Sequence, residues 1–450
     1  ETGNVISQHG RRGATMVSID CSHPDIEELL DTKMKGDRLQ SMNVSIKFTD
    51  EFMTAVDCDK PYTLKFDVKS TGEHIEKTIK AREFFKKFCE CQWNWGDPGA
   101  LFIDEFNDYN MLSGYDNFRI LTTNPCAELP LGAWGSCNLG SINLAKFVDV
   151  DKVEFCWDSF IDTVHVAVRA LNDALDYSYD KQPYEENRKY IRDWRPIGLG
   201  VFGYADMLVE LGLKYGSEEA LEFTRKLFHC LTNEAVKASA LLCQDYFNTF
   251  GEYDYDKTAD SKFFQSLDDE TKEFVKEYGL LNGQLISIAP TGSISLLAGR
   301  YTGGCEPIYK LYYERTTHKL EEQGKTFRVF SHSIEDLLVR NELSMDTSAD
   351  DIKKMFPYVI ESHDVEPIRR VLTQATMQKY VDNSISSTVN LPESATPDDI
   401  FAIYDAAWQT GCKGITVFRD NCARGNILGL SKKDEKPTIL NDSTKPERRG

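Results

Sequence analysis

Three side chains at alternate positions, Asn124, Cys126 and Glu128, bring an amide, a thiol and a carboxylate into one short stretch. Such a set suits chemistry on a small polar substrate. Pro125 and Pro130 deny the stretch a helix. An extended loop is therefore expected, and in an extended chain alternate side chains share one face. Cys137 follows 11 residues after Cys126 and leads into Leu139–Leu144, a segment that can turn back beside the loop. Taken singly, each residue has a plainer reading. A lone Cys is most often a small buried hydrophobe, and Asn-Pro often marks only a turn.

The rest of the chain must position that stretch, and its bulk properties set limits. A length of 450 residues allows one large α/β domain or two smaller ones. The net charge of −20 repels phosphate backbones, so no nucleic-acid partner is expected, and any phosphate ligand needs a local site. The 12 cysteines are dispersed and the 8 histidines form no ligand array, so no metal site is expected and Cys89 and Cys91 read as structural. No apolar run reaches the length of a membrane span and the start lacks signal-peptide character, which points to a cytoplasmic setting with no membrane partner.

Taken in order, Gln8-His-Gly-Arg11-Arg12-Gly13 is a glycine-punctuated basic turn, expected as a mobile loop able to meet anions or a base. His23-Pro-Asp-Ile reads as a turn into a helix. Met42–Phe48 reads as a strand, and Gly96-Asp-Pro-Gly as a turn feeding another. Trp157–Ser178 carries apolar residues at helical spacing. Gly198, Gly200 and Gly203 mimic a dinucleotide fingerprint, but Trp194-Arg-Pro interrupts the approach. Close helix packing is the expected role of those glycines. Ser217 caps a long helix towards Phe247. Leu285–Ala289 is a compact apolar strand that ends in Pro290-Thr291-Gly292-Ser293-Ile294-Ser295, where hydroxyls and backbone N–H groups can meet an anion. Strands are expected at Ser387–Leu391 and Gly414–Phe418, with a helix opening at Thr396-Pro-Asp-Asp between them.

The run from Asn124 to Leu144 closely resembles the active-site finger loop of ribonucleotide reductase large subunits. The motifs at Gln8–Gly13, Pro290–Ser295 and Gly303-Gly-Cys-Glu-Pro307 follow in that family's order, and the resemblance covers Gln8 to Gly425. It implies a ten-stranded α/β barrel in two antiparallel-oriented halves around a central finger loop. The barrel would occupy residues 1–430, incomplete at its N-terminus with its first strand missing, and residues 431–450 would be a loosely ordered charged tail. The resemblance makes Cys126 the radical cysteine, Glu128 the general base, Asn124 the residue orienting the sugar, and Cys137 half of a redox pair. Pro290, Thr291, Gly292, Ser293, Ile294 and Ser295 would hold substrate phosphates. Gln8, Arg11, Arg12 and Gly13 would report a bound nucleotide effector to the substrate base.

Lys413-Gly-Ile-Thr-Val-Phe-Arg-Asp420 lacks the tyrosine pair of reductases that import a radical from a second subunit, and no glycyl-radical segment is present. These sequences look most like the adenosylcobalamin-dependent class. The implied activity is reduction of ribonucleoside diphosphates or triphosphates to 2′-deoxyribonucleotides. A thioredoxin-like reductant, nucleotide effectors, a homodimer and a missing N-terminal segment or subunit carrying the partner of Cys137 are implied with it. Other readings are a subunit-dependent reductase, a fragment that only binds until its N-terminal partner joins it, and a hydrolase using Cys126 as nucleophile. The last lacks a His near the loop to activate the thiol.

Overall fold

The computed structural model describes residues 7–8, 11–12, 14–35, 42–246, 248–316 and 326–423. Three parallel strands open the main ladder, β1 (Met16–Asp20), β2 (Asn43–Phe48) and β3 (Gly99–Phe102), with Ser18 opposite Ser45 and Ile46 opposite Ala100. A separate antiparallel hairpin of Pro61–Val68 with Glu73–Lys80 lies between β2 and β3 in the chain. A short hairpin follows, β4 (Thr122–Thr123) with β5 (Pro130–Leu131). Next come β6 (Asn138–Asn143) and β7 (Ile197–Phe202), parallel in full register. The last two, β8 (Thr388–Leu391) and β9 (Gly414–Arg419), are also parallel.

All of these strands except the two hairpins belong to one ladder. β9 pairs antiparallel to β3, joining the β1–β3 group to the rest. On the other side, single parallel bridges at Leu199–Ile286 and Ile288–Ile385 insert the segment around Leu285–Ile288 between β7 and the approach to β8. The succession is therefore β1, β2, β3, β9, β8, the 285–288 segment, β7 and β6. Three members run one way and five the other, as the two-halved architecture requires. Among the described residues no pairing joins β1 to β6, so the ladder has eight members and is open rather than a closed ring of ten.

Strand chemistry explains the order. Val44, Ser45, Ile46 and Phe48 of β2 are all buried, and every residue of β7 is buried, which is the pattern of strands covered on both faces. Helices supply the cover in two separate cores. One core joins β2, the helix α1 (Ile26–Lys35), α2 (Ala81–Trp95) and the C-terminal α8 (Pro397–Gln409) around Phe48, Phe85, Phe88 and Tyr404. The short α3 (Ile103–Asp108) follows β3 and packs against β2. The other core packs α4 (Trp157–Tyr179) on β6 and β7 and α5 (Glu218–Tyr246) on α4, with Val164, Val168, Leu227 and Leu231 buried in it. The helices α6 (Gly292–Leu297) and α7 (Pro367–Gln378) complete the elements that matter for the site. α8 opens with the expected cap, the Thr396 hydroxyl accepting from Asp399 N while Asp399 returns the bond. Ser217 Oγ likewise accepts from Ala220 N at the start of α5.

Gly198, Gly200 and Gly203 correct the sequence expectation. Gly198 and Gly200 lie in β7, not against a helix. A Cβ on Gly198 would stand 2.5 Å from Leu139 Cδ2, and one on Gly200 would stand 2.4 Å from Ser287 O. They permit close approach of neighbouring strands. Gly203, at φ 68°, turns the chain into the helix Tyr204–Glu210.

Candidate active site

The finger stretch is a tight hairpin, not the extended loop expected from its prolines. Ala127 N donates to Asn124 O at 3.0 Å, and Ala127 takes φ 65°. The chain therefore reverses within Asn124–Ala127, and the argument from alternating faces does not apply. Extended backbone persists only on either side, where Thr122 faces Leu131 and Thr123 faces Pro130. The turn still gathers the amide and the carboxylate. Asn124 Oδ1 accepts from Leu129 N at 3.0 Å, which closes the loop, and Asn124 also hydrogen-bonds the Glu128 carboxylate.

Five bonds hold this hairpin between the two halves of the ladder. From the β1–β2 side, Ser18 shares a 2.8 Å hydroxyl bond with Thr122, Lys47 Nζ donates to Leu121 O at 3.2 Å, and Asn43 Nδ2 reaches Pro125 O at 3.5 Å. From the 285–288 side, Gln284 Nε2 donates to Pro130 O at 3.0 Å and Ser287 Oγ donates to Glu128 O at 2.7 Å. The finger thus bridges the β1–β2 side of the ladder and the 285–288 segment. Gln284 and Ser287 were not singled out from the sequence. Their signal was there: both are polar residues in or beside an otherwise apolar buried strand.

Glu128 is 3% exposed, and its Oε2 has no hydrogen-bond partner among the described residues. Burial pushes its carboxyl above the usual glutamate range, while the Asn124 bond pulls the other way. Cys126 sits at the exposed tip and lines a cavity of about 110 Å³ together with Pro125, Ala127, Gln92, Gly99 and Thr416. Cys137 lies just before β6, its Sγ donating to Asn138 O at 3.4 Å and lying 3.4 Å from where a Cβ on Gly198 would be. Burial pushes the Cys137 thiol up, and the carboxylates of Asp382 and Glu128 push it further, so Cys137 and Glu128 share one electrostatic neighbourhood.

The 285–288 segment that grips the finger is itself fixed by Asp382. Its carboxylate accepts from Leu285 N at 2.8 Å and Ile286 N at 2.7 Å. Lys413 Nζ, fully buried, donates to the carbonyls of Asp382 and Asn383, each at 2.6 Å. Burial brings Lys413 down to about 8 against the pull of Asp382 and Glu105. Lys413 therefore ties β9 to the strand beside it.

At Pro290–Ser295 the chain leaves the segment and starts α6, with Thr291 in the left-handed region at φ 52°. Thr291 Oγ1 accepts from Gly304 N at 2.9 Å, and Ser295 is buried with its hydroxyl on Gly292 O at 3.4 Å. Gly292, Ser293 and Ile294 are exposed, and the space beside Gly292 is open. Ser293 is thus the hydroxyl most available to an anion. Gly303 and Gly304 pack against the carbonyls of Pro290 and Ala289, where a Cβ would stand 2.4 and 2.7 Å away. At the N-terminal motif, Gln8 and Arg11 pair, as do Ser7 and Arg12, in a two-residue antiparallel ladder where an unpaired loop was expected. Gly13 and the side chains of Gln8, Arg11 and Arg12 lie outside the described residues, as does the tail at 431–450.

Residues 2–418 match the family described as ribonucleotide reductase, barrel domain. The chain belongs to that family. Relatives of this reductase barrel include a vitamin B12-dependent ribonucleoside-diphosphate reductase of Thermoplasma acidophilum, 35% identical across 99% of this chain and 56% of that protein. One of Mycobacterium tuberculosis (strain CDC 1551 / Oshkosh) is 35% identical across 98% of this chain and 61% of its own length. A vitamin B12-dependent ribonucleotide reductase of Streptomyces clavuligerus is 26% identical across 96% and 51%. The chain thus spans between half and two thirds of the length of these relatives. Among the described residues no helix is long and apolar enough to cross a membrane.

Proposed function

We propose that this chain is the catalytic barrel of an adenosylcobalamin-dependent ribonucleotide reductase, acting on ribonucleoside diphosphates. The observation that carries the reading is the clamped hairpin. It presents Cys126 to a cavity, holds Glu128 buried beside Asn124, and has Cys137 in the same electrostatic neighbourhood.

The residues around Cys126 fit the cofactor. Gly96, Gly99, Ala100 and Gly414 line the cavity beside Gln92, which is 1% exposed and has an unpartnered Oε1. Thr416 stands in β9, where subunit-dependent reductases resemble one another in carrying tyrosine. Gln92, Thr416 and the glycine edges would hold the adenosyl end. When bound, the cofactor supplies one-electron oxidation by homolysis of its cobalt–carbon bond.

Cys126, as a thiyl, takes the 3′ hydrogen of the ribose. Glu128 takes the 3′-hydroxyl proton, a role that a buried carboxyl raised above the usual glutamate range can serve. Asn124 steadies Glu128 and the sugar hydroxyls. Cys137 and a second thiol supply two electrons and two protons, and they finish as a disulfide. One proton leaves with the 2′-hydroxyl as water, the other ends as the new hydrogen on C2′, and Glu128 returns its proton to the 3′ oxygen. Cys126 then returns its hydrogen to C3′. A thioredoxin-like protein resets the pair. The second thiol is assigned to a partner segment or subunit.

Pro290–Ser295 binds the substrate phosphates, with Thr291 set by Gly304 and Ser293 facing outward. Gln8, Arg11, Arg12 and Gly13 couple effector to substrate base in a homodimer. The eight-membered ladder is the greater part of a ten-stranded barrel over residues 1–430, residues 431–450 are its tail, and the setting is cytoplasmic. The deciding experiment uses the full-length protein. Cys126→Ser is expected to abolish both deoxynucleotide formation and cofactor-dependent hydrogen exchange with water. Retention of exchange ends the reading, and a cobalamin titration separates it from subunit-dependent radical supply.

A further inference from the structure

Residues 132–136 link the finger hairpin to Cys137, and Ala133 and Trp134 among them are exposed. Its two glycines leave such a link free to wander unless something grips it. The helix Glu185–Trp194 does so. Asn187 Nδ2 donates to Trp134 O at 2.7 Å, and the Tyr184 ring lies 5.7 Å from the Trp134 ring. Deeper in, the link folds round Tyr190. Gly135 N donates to Gly132 O at 3.1 Å, and a Cβ on Gly132 or Gly135 would stand 3.3 or 3.1 Å from the Tyr190 ring.

The Tyr190 hydroxyl is the hub. Tyr190 is buried, Gly132 N donates to its oxygen at 3.4 Å, and that oxygen donates to Gln284 Oε1 at 3.3 Å. Gln284, buried too, sends its amide N–H groups to Pro130 O at 3.0 Å and Asn383 Oδ1 at 2.6 Å. Lys413 Nζ holds the backbone carbonyl of that same Asn383. One run of bonds thus joins the link, the finger strand at Pro130 and the chain that Lys413 fixes. Packing alone would be served by phenylalanine, so the hydroxyl is needed only for these two bonds.

Burial pushes the Tyr190 hydroxyl up and the Cys137 thiol pushes it further, so the phenol keeps its proton and stands in the neighbourhood of Cys137. On its other side Cys137 is fixed by β6, whose Asn138 faces Ile197 of β7. The turn that carries Cys126 is held separately, by Asn43 on Pro125 O and Ser287 on Glu128 O. We propose that Tyr190 is a positioning residue for Cys137: through Gly132 and Gln284 its hydroxyl fixes the link and so sets where the Cys137 thiol stands relative to the finger. The inference rests on the reductase reading for the role of Cys137.

The test compares the full-length protein with Tyr190→Phe, which keeps the ring and removes the hydroxyl. With all thiols reduced, iodoacetamide is expected to alkylate Cys137 about tenfold faster in the variant, the size expected for one lost buried hydrogen bond. Exposed Cys58 serves as internal reference, and tandem mass spectrometry locates the alkylated sites. In kcat, deoxynucleotide formation is expected to fall about tenfold at unchanged KM, while cofactor-dependent hydrogen exchange through Cys126 stays within about twofold. Asn187→Ala, which frees Trp134 O at a partly exposed position, is expected to speed alkylation about threefold. It decides the matter if Tyr190→Phe fails to fold by circular dichroism. Unchanged alkylation of Cys137 in the folded variant, or equal losses of exchange and turnover, overturns the inference and leaves the reductase reading standing. An unmodified protein that forms no deoxynucleotide under these conditions ends both.

Discussion

The hairpin carrying Cys126 and the loop carrying Ser293 are both short and both lie beside the 285–288 segment, yet they are held in opposite ways. Four carbonyls of the finger, at Leu121, Pro125, Glu128 and Pro130, each accept from a side chain on the surrounding ladder. The Ser293 loop is pinned at its base by Gly304 N on Thr291 and is otherwise open, with Leu296 64% and Leu297 88% exposed. The difference follows from the chemistry each is assigned. Hydrogen-atom transfer needs reacting groups in fixed positions and sheltered from water. An anion needs donors that it can reach.

Removing the buried carboxylate should break the comparison most severely. Glu128→Gln keeps the shape but removes the base, and turnover is expected to fall by about 10²–10⁴-fold. The same variant has a second, opposite signature. Burial raises the folded-state carboxyl above its unfolded value, so its contribution to stability is complete at acid pH and is lost as pH rises through the raised value. Glu128→Gln should therefore gain stability over the unmodified protein at neutral pH and show no gain below the ordinary glutamate range. Urea midpoints at the two pH values, read as differences between the proteins, check this.

Loosening the clamp is next in size. Ser287→Ala leaves Glu128 O without its buried donor, and a loss of about 1–3 kcal/mol in unfolding free energy is expected, with a lower kcat. Loss of stability with kcat unchanged would show that the grip serves the fold alone.

The Ser293 loop should respond differently. Ser293→Ala is expected to weaken nucleotide binding by about 1–2 kcal/mol while leaving the melting temperature nearly unchanged, because the residue is exposed. Ser295→Ala, at a buried hydroxyl bonded to Gly292 O, should lower stability more than Ser293→Ala does. Equal melting temperatures would erase the distinction between the two serines. Smallest of all, Leu297→Gln should change stability by less than about 0.5 kcal/mol, since the side chain is almost fully exposed.

The sequence by itself determined the elements whose causes are local. Thr396 and Asp399 specify a capping box, Ser217 caps α5, and apolar spacing from Trp157 defines α4, because capping and periodicity act over a few residues. It also determined which side chains meet at the finger, through motif order rather than geometry. Only the tertiary structure decided how they meet. The turn at Ala127 replaced an extended strand because carbonyls on both sides of it are satisfied by residues up to 159 positions away. Gly198 and Gly200 proved to be strand residues for the same reason: what a missing Cβ makes room for, here Leu139 and Ser287, is distant in the chain. The burial that raises Glu128, and the bonds that Tyr190 makes to Gly132 and Gln284, likewise arise from packing between segments that are remote in sequence.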